Sequence, residues 1–293
     1  MPRSLIAFFL FGIVTSIFQA GTSISAPNDD STSVRSQRAQ KPNQNTSKPK
    51  QKIGAFLQSP FDPAVAKLPG NFQGHDPGQV FKAIRERKGA MVKGEFESSE
   101  VYSRRVEALK IAPLFGKVSA DSMLAFILEV DPVYDADAAT FLLVHQPRQI
   151  GFIETYTSSL AVAATLNRTA TFKFNQVRQN AYGAKVDVLT TTGLEILGMM
   201  RTKEGVFDRA GAKLTISIPR EQAPSVKPNL ALLLICKLDS LEPLRGFYFP
   251  GGDATFNRPV ETSIIQSILQ IEPLQLWAIN KQTGDVYAKR DPK

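Results

Sequence analysis

After Pro113 the chain alternates apolar and polar side chains in several stretches. Phe141, Leu143 and His145 alternate with Leu142 and Val144, and Ala170, Phe172 and Phe174 with Thr171, Lys173 and Asn175. Ala184, Val186 and Val188 alternate with Lys185 and Asp187, and Leu214, Ile216 and Ile218 with Thr215 and Ser217. Successive side chains of a strand point to opposite faces, so period two with one polar face, clear in the last three stretches, predicts half-buried antiparallel strands. Gln179-Asn180-Ala181-Tyr182-Gly183 is placed to turn one such strand into the next. Leu230–Cys236 has no polar face and reads as a central strand covered on both sides, with Cys236 a buried, unreactive thiol. Leu274–Ile279 and Asp285–Ala288 flank Lys281-Gln282-Thr283-Gly284 as a hairpin would.

Helical spacing comes earlier. Asp76-Pro77-Gly78-Gln79 is a helix start: Asp76 can cap free N–H groups, Pro77 fits the first helical position, and Gln79 has capping-box spacing. Val80, Phe81 and Ile84 form its apolar stripe and Gly89 its stop. A second helix begins near Ser98, with Val101, Tyr102, Arg105, Val106 and Leu109 on one face and Glu100, Arg104 and Glu107 outward. Pro219–Pro228 suits a short helical turn, and Pro259–Gln270 a further helix. No fixed-period repeat is present. The expected fold class is α+β: mainly antiparallel β, a sandwich or half-barrel of eight to ten strands, with two N-terminal helices.

The segment ahead of this body reads differently. Leu5–Phe18 is a nearly unbroken apolar run of 14 residues behind Arg3. That is short for a membrane span, which needs about 20, and suits the core of a secretory leader. Small and polar residues over Ala20–Ala26 provide a cleavage region; an uncleaved anchor is the competing reading. Residues 27–52 carry only Val34 and Ala39 as apolar side chains and no aromatic ring. They cannot bury enough surface to offset about 1–2 kcal/mol of backbone entropy per residue. The expected division is a signal peptide over 1–26, a disordered basic linker over 27–52, and an α+β domain over 53–293, helical over 53–112 and β-rich over 113–293.

Charge changes the picture of partners. The chain of 293 residues has a formal net charge of +8. Residues 27–52 alone hold six cations against two anions, and the body from 53 onward holds 28 against 25, a net of only +3. A nucleic-acid-binding domain concentrates its charge on a folded face. The expectation is therefore no nucleic acid, and no transmembrane segment once the leader is removed. The basic linker can also touch anionic lipid or cell-wall polymer. The triplets Asn45-Thr46-Ser47 and Asn167-Arg168-Thr169 matter only in a glycosylating secretory pathway.

Candidate chemistry is sparse. One cysteine and two histidines are too few for a disulfide framework, a Cys/His zinc finger or an iron–sulfur cluster within one chain. The short motifs of nucleotide binding, zinc proteolysis and serine hydrolysis are missing. His75 beside Asp76 reads as a surface histidine next to a helix cap, with a general base as the alternative. His145 ends a strand nine residues before Glu154; a single pair falls short of the three ligands of a catalytic zinc, so a structural role is preferred. Glu129, Asp131, Asp135 and Asp137 form the densest carboxylate set. They lack the glycine and terminal glutamate of an EF-hand loop; Asp131 and Asp135 read as turn formers, with calcium binding by Asp131, Asp135 and Asp137 as the alternative. Phe247-Tyr248-Phe249 ahead of Pro250-Gly251-Gly252 reads as a strand entering a turn, or as an aromatic binding loop.

Lys93-Gly94-Glu95-Phe96-Glu97 with Tyr102 and Arg105 resembles a pattern in uncharacterised exported proteins of Gram-negative bacteria. Tyr134-Asp135-Ala136-Asp137, Asn180-Ala181-Tyr182-Gly183-Ala184, Leu276-Trp277 and Thr283-Gly284-Asp285-Val286-Tyr287 are similar too, so the resemblance spans residues 70–293. It implies an exported location, periplasmic or extracellular, and assigns no activity or catalytic residue. It also suggests an ion pair between Glu95 and Arg105 at the second helix. The expectation is a non-catalytic binding module of the cell envelope, with an unknown protein or envelope component as partner and no cofactor or metal. The alternative is an envelope-polymer hydrolase with an acidic site over Glu129–Asp137.

Overall fold

A computed structural model describes residues 54–153, 161–179, 182–202 and 206–291. The leader, the basic linker, Glu154, and Asn180 and Ala181 of the expected turn lie outside the described residues. The described part belongs to one compact unit, Lys50–Lys293.

Helix α1 (Pro77–Arg87) begins as its residues demand: Asp76 accepts a bond from Gly78 N at 2.8 Å, and Pro77 fills the first turn. Gln79 does not complete a capping box; its amide pairs instead with that of Gln58. Gly89 falls within a short 3-10 turn, Lys88–Met91. Helix α2 (Ser99–Ile111) is capped by Ser98. None of its residues is buried, so the expected inward stripe is not a core face; Val101 is half exposed. Polar clamps hold α2 instead. Arg87 donates to the carbonyls of Leu109, Ala112 and Pro113 at its C-terminal end, and Tyr102 donates to Met91 O.

Ten strands follow among the described residues: β1 (Leu124–Leu128), β2 (Val133–Asp135), β3 (Thr140–His145), β4 (Ala161–Gln179), β5 (Lys185–Arg201), β6 (Ala212–Ser217), β7 (Leu230–Leu238), β8 (Leu244–Tyr248), β9 (Val260–Asn280) and β10 (Val286–Arg290). Helix α3 (Ala223–Val226) lies between β6 and β7, where a short helical turn was expected, so helix is not confined to the N-terminal part. The fold is mainly β, with one mixed and one antiparallel sheet. The larger sheet runs β1-β7-β9-β5-β4, with β8 and β10 also on β9. Its β5–β9 pair is parallel, an exception within a fold expected to be mainly antiparallel. The smaller sheet is β2-β3-β6, antiparallel throughout.

Strand β9 also corrects the helix expected over Pro259–Gln270. Its apolar doublets Ile264-Ile265 and Ile268-Leu269 imitate helical spacing. They belong to a strand flanked on both edges and packed on both faces: Ile268 joins one cluster, Leu269 and Ile271 another. A strand covered on both sides carries apolar residues at either parity.

One core joins the two sheets. Phe141, Leu143 and Leu214 of the smaller sheet pack with Leu124, Phe126 and Leu232 of the larger, and Val80 and Ile84 of α1 join them. Phe61, Leu68 and Phe72 cover the opposite face of β1, β7 and β9, against Leu233, Ile235 and Trp277. Strand β7 is thereby buried on both sides, as its composition demands. Among the described residues, the outer part of the β4–β5 ladder has no such cover. Phe172 and Phe174 keep the expected alternation but are 52% and 49% exposed, so this stretch is not half-buried in the expected sense.

Candidate cleft at the sheet seam

Strands β1 and β4 are the two ends of the large sheet's path, and they come back into contact with each other. The sheet is therefore curled. The chain's two histidines lie at its facing edges. His75, just ahead of α1, is 1% exposed, which overturns its reading as a surface residue. Its backbone N–H donates to Ala125 O of β1, and its Nδ1 accepts from Ala125 N at 3.0 Å. Its Nε2 therefore carries the proton, donated to Ser59 O at 3.0 Å. His145, at the end of β3, repeats the device. Its Nδ1 donates to Glu129 O at 2.9 Å just beyond β1, and its Nε2 accepts from Thr165 N of β4. One imidazole thus bridges both edges. Burial lowers the pKa of both rings below the usual 6.5, and the nearby charge of Arg168 adds to the effect at His145.

A cleft of about 700 Å³ lies along this seam. Its walls come from Asn71–His75, the residues after β1, the end of β3, β4 over Thr165–Arg168, and the β9–β10 hairpin. The hairpin is tied in place: Asn71 N and Phe72 N donate to Gln282 O and Lys281 O, and Lys281 N to Asn229 O. Arg168 and Lys281 line the cleft together with Glu129 and Asp131, so charges of both signs share its walls.

The four carboxylates singled out in the sequence do not assemble. Glu129 and Asp131 line the cleft, while Asp135 and Asp137 do not. Asp135 accepts from the N–H groups of Asp137 and Ala138 at 3.0 Å, which makes it a turn former. Among the described residues no three of His, Cys, Asp and Glu come together as a metal site. Cys236 is fully buried, and desolvation raises its thiol pKa far above the usual value, so it is held as an inert thiol. Phe247 and Tyr248 end strand β8, in keeping with a strand that enters a turn. Arg105 does not pair with Glu95. Its partner is Glu97, with Nη2 to Oε2 at 2.7 Å and Nε to Oε1 at 2.9 Å. Helical geometry brings the start of α2 back toward Arg105, and the residue that reaches it is the one next to the cap.

Sequence reading missed a second polar cluster. Glu195 of β5, buried within the sheet, accepts from Arg148 Nε at 3.0 and 3.1 Å. Fully buried Gln266 of β9 donates to Glu195 at 2.7 Å and to Gln149 O, and accepts from Gly151 N. This fixes the strap over 148–151 beside the cleft. The only local signal is a glutamate in the apolar run of β5; its partners lie 47 and 71 positions away.

Compared with family models, curated proteins and solved structures, the chain finds no match. Among the described residues, no helix is long and apolar enough to cross a membrane.

Proposed function

We propose that this protein is an exported binding module of the cell envelope that takes its ligand in the seam cleft of a curled, half-barrel sheet. The observation that carries the reading is the cleft itself: about 700 Å³, polar, and built where two sheet edges meet without pairing fully. Pockets for small ligands fall in this size range, about 300–1,000 Å³. The bland chemistry favours binding over turnover. Both histidines beside the cleft spend both ring nitrogens on backbone partners, so neither offers a free base. The apolar run of Leu5–Phe18 and the small residues after it support export, and the basic stretch over 27–52 supports a tether.

The test uses the full chain expressed in a Gram-negative host. The expected product begins within or just after Ala20–Ala26, appears in the periplasm or medium, and sediments with washed envelope material. Lys281→Ala and Asn167→Ala should weaken that sedimentation. A chain retained in the cytoplasm, or one left wholly in the supernatant, overturns the reading. Glu129 and Asp131 in the cleft keep the hydrolase alternative measurable in the same tubes: soluble fragments released by the parent and not by Glu129→Gln would replace binding with cleavage.

A further inference from the structure

The cleft's side chains point to a ligand class, and the following rests on the binding reading above. Six lining residues are amides: Asn71, Gln73, Gln146, Asn167, Asn229 and Gln282. We infer that the cleft binds a glycan.

An amide side chain offers a donor and an acceptor about equally, as does a sugar hydroxyl. A wall rich in amides therefore matches neighbouring hydroxyls, each of which gives and takes one bond. A site for a phosphate or a free carboxylate would be dominated by donors and positive charge. Here Glu129 and Asp131 offset Arg168 and Lys281 in the same walls, and the third lining cation, Arg148, is already paired with buried Glu195, so no single sign of charge is selected. Phe56 also lines the cleft and is 42% exposed, an apolar face for the C–H side of a sugar ring.

A peptide laid as an added strand is the natural competitor at a sheet seam. Such a strand needs free N–H and C=O groups along an edge. On β1 the groups of Ala125 are taken by His75, and just beyond it Glu129 O is taken by His145. On β4 the carbonyl of Ala163 is taken by Arg148 N, and Thr165 N by His145. The run of free groups that an added strand needs is thereby interrupted on both edges, and side chains carry the recognition. Two of the amides are pre-placed as well: Asn229 donates to Gln282 Oε1 at 2.8 Å, and both sit on segments bonded to one another through the hairpin. Rigid placement of this kind reduces the entropy lost on binding.

Saturation-transfer NMR and calorimetry on the full chain would test this with four probes: a tetramer of N-acetylglucosamine, a tetramer of glucose, tetra-alanine and inorganic phosphate. At least one saccharide should bind, and tetra-alanine and phosphate should not. Asn167→Ala and Phe56→Ala should each weaken binding about tenfold, or about 1.4 kcal/mol. Both positions are partly exposed, so the thermal midpoint should hold, and Phe172→Ser, away from the cleft, should leave binding unchanged. Silence from both saccharides, equal binding of tetra-alanine or phosphate, or saccharide binding indifferent to both cleft variants overturns the inference. If the chain still sediments with envelope material while both saccharides fail, the glycan inference falls and the binding module stands.

Discussion

A single imidazole can stand in for a strand. His75 and His145 each present one donor and one acceptor nitrogen, and each nitrogen meets a backbone group at a sheet edge. Replacement of either by Phe keeps the ring shape and leaves the N–H of Ala125 or Thr165 without an acceptor. The expected loss is about 1–3 kcal/mol for each, read from urea midpoints. Protonation does similar damage, because a charged ring has no acceptor left. Both pKa values lie below 6.5 in the folded chain, so the unfolded chain binds more protons around and below that pH. Stability from this source is present above pH 6.5 and is lost as pH falls through the lower folded values. The urea midpoint should thus drop from pH 7.5 to pH 5.5, and a His75→Gln/His145→Gln variant should show a much flatter profile. Glu97 behaves in the opposite chemical sense with the same sign. Bonding to Arg105, then to Gly94 N, lowers its pKa from 4.5 to about 2. Its contribution is present above pH 4.5 and is lost as pH falls through about 2. Carboxyl NMR titration should find Glu97 ionised at pH 3.5, and in Arg105→Ala it should return toward 4.5.

At the scale of elements, α1 is a helix whose start is local and whose place is tertiary. Asp76→Ala removes the cap bond to Gly78 N and should cost about 1 kcal/mol in thermal or urea unfolding. The β9–β10 hairpin depends on Gly284, which has φ +78° and lies against the backbone carbonyl of Leu68. An alanine there meets a left-handed conformation costing roughly 1–2 kcal/mol, and its Cβ would overlap that carbonyl. Gly284→Ala should therefore lower the thermal midpoint by more than Asp76→Ala does. Because this hairpin forms one wall of the cleft, ligand binding should weaken with it. Helix α2 shows the reverse economy: with no buried side chain, it is held by Arg87 and Tyr102, so its attachment is polar.

Across the whole molecule the core is uneven. Leu233 of β7 is fully buried against the Trp277 side of the sheet, and Leu233→Ala should cost about 2–5 kcal/mol. Phe174→Ser, on the uncovered outer ladder, should change stability by under about 0.5 kcal/mol. Trp277 is the chain's only tryptophan and is fully buried beside Phe61, so its emission should shift red on unfolding and report both variants. Equal losses at the two positions would mean that the outer ladder is covered after all.

Taken by itself, the chain determined whatever neighbours in sequence can dictate. The Asp76 and Ser98 caps fix two helix starts, the leucine-rich run of β7 demands cover on both sides, and Cys236 follows it inward. These are local matters of orphan N–H groups and of apolar surface leaving water. Tertiary structure alone decided what depends on partners far along the chain. The doublets in β9 look helical until β5, β7 and β8 lie beside it, and Phe172 and Phe174 look half-buried until the fold leaves each about half exposed. His75 reads as a surface residue until Ser59 and Ala125 close on its ring. The amides of the cleft are scattered from Asn71 to Gln282 and carry no pattern of their own; the meeting of β1 with β4, and the bonds that tie Asn71 and Asn229 to the β9–β10 hairpin, bring them to one place.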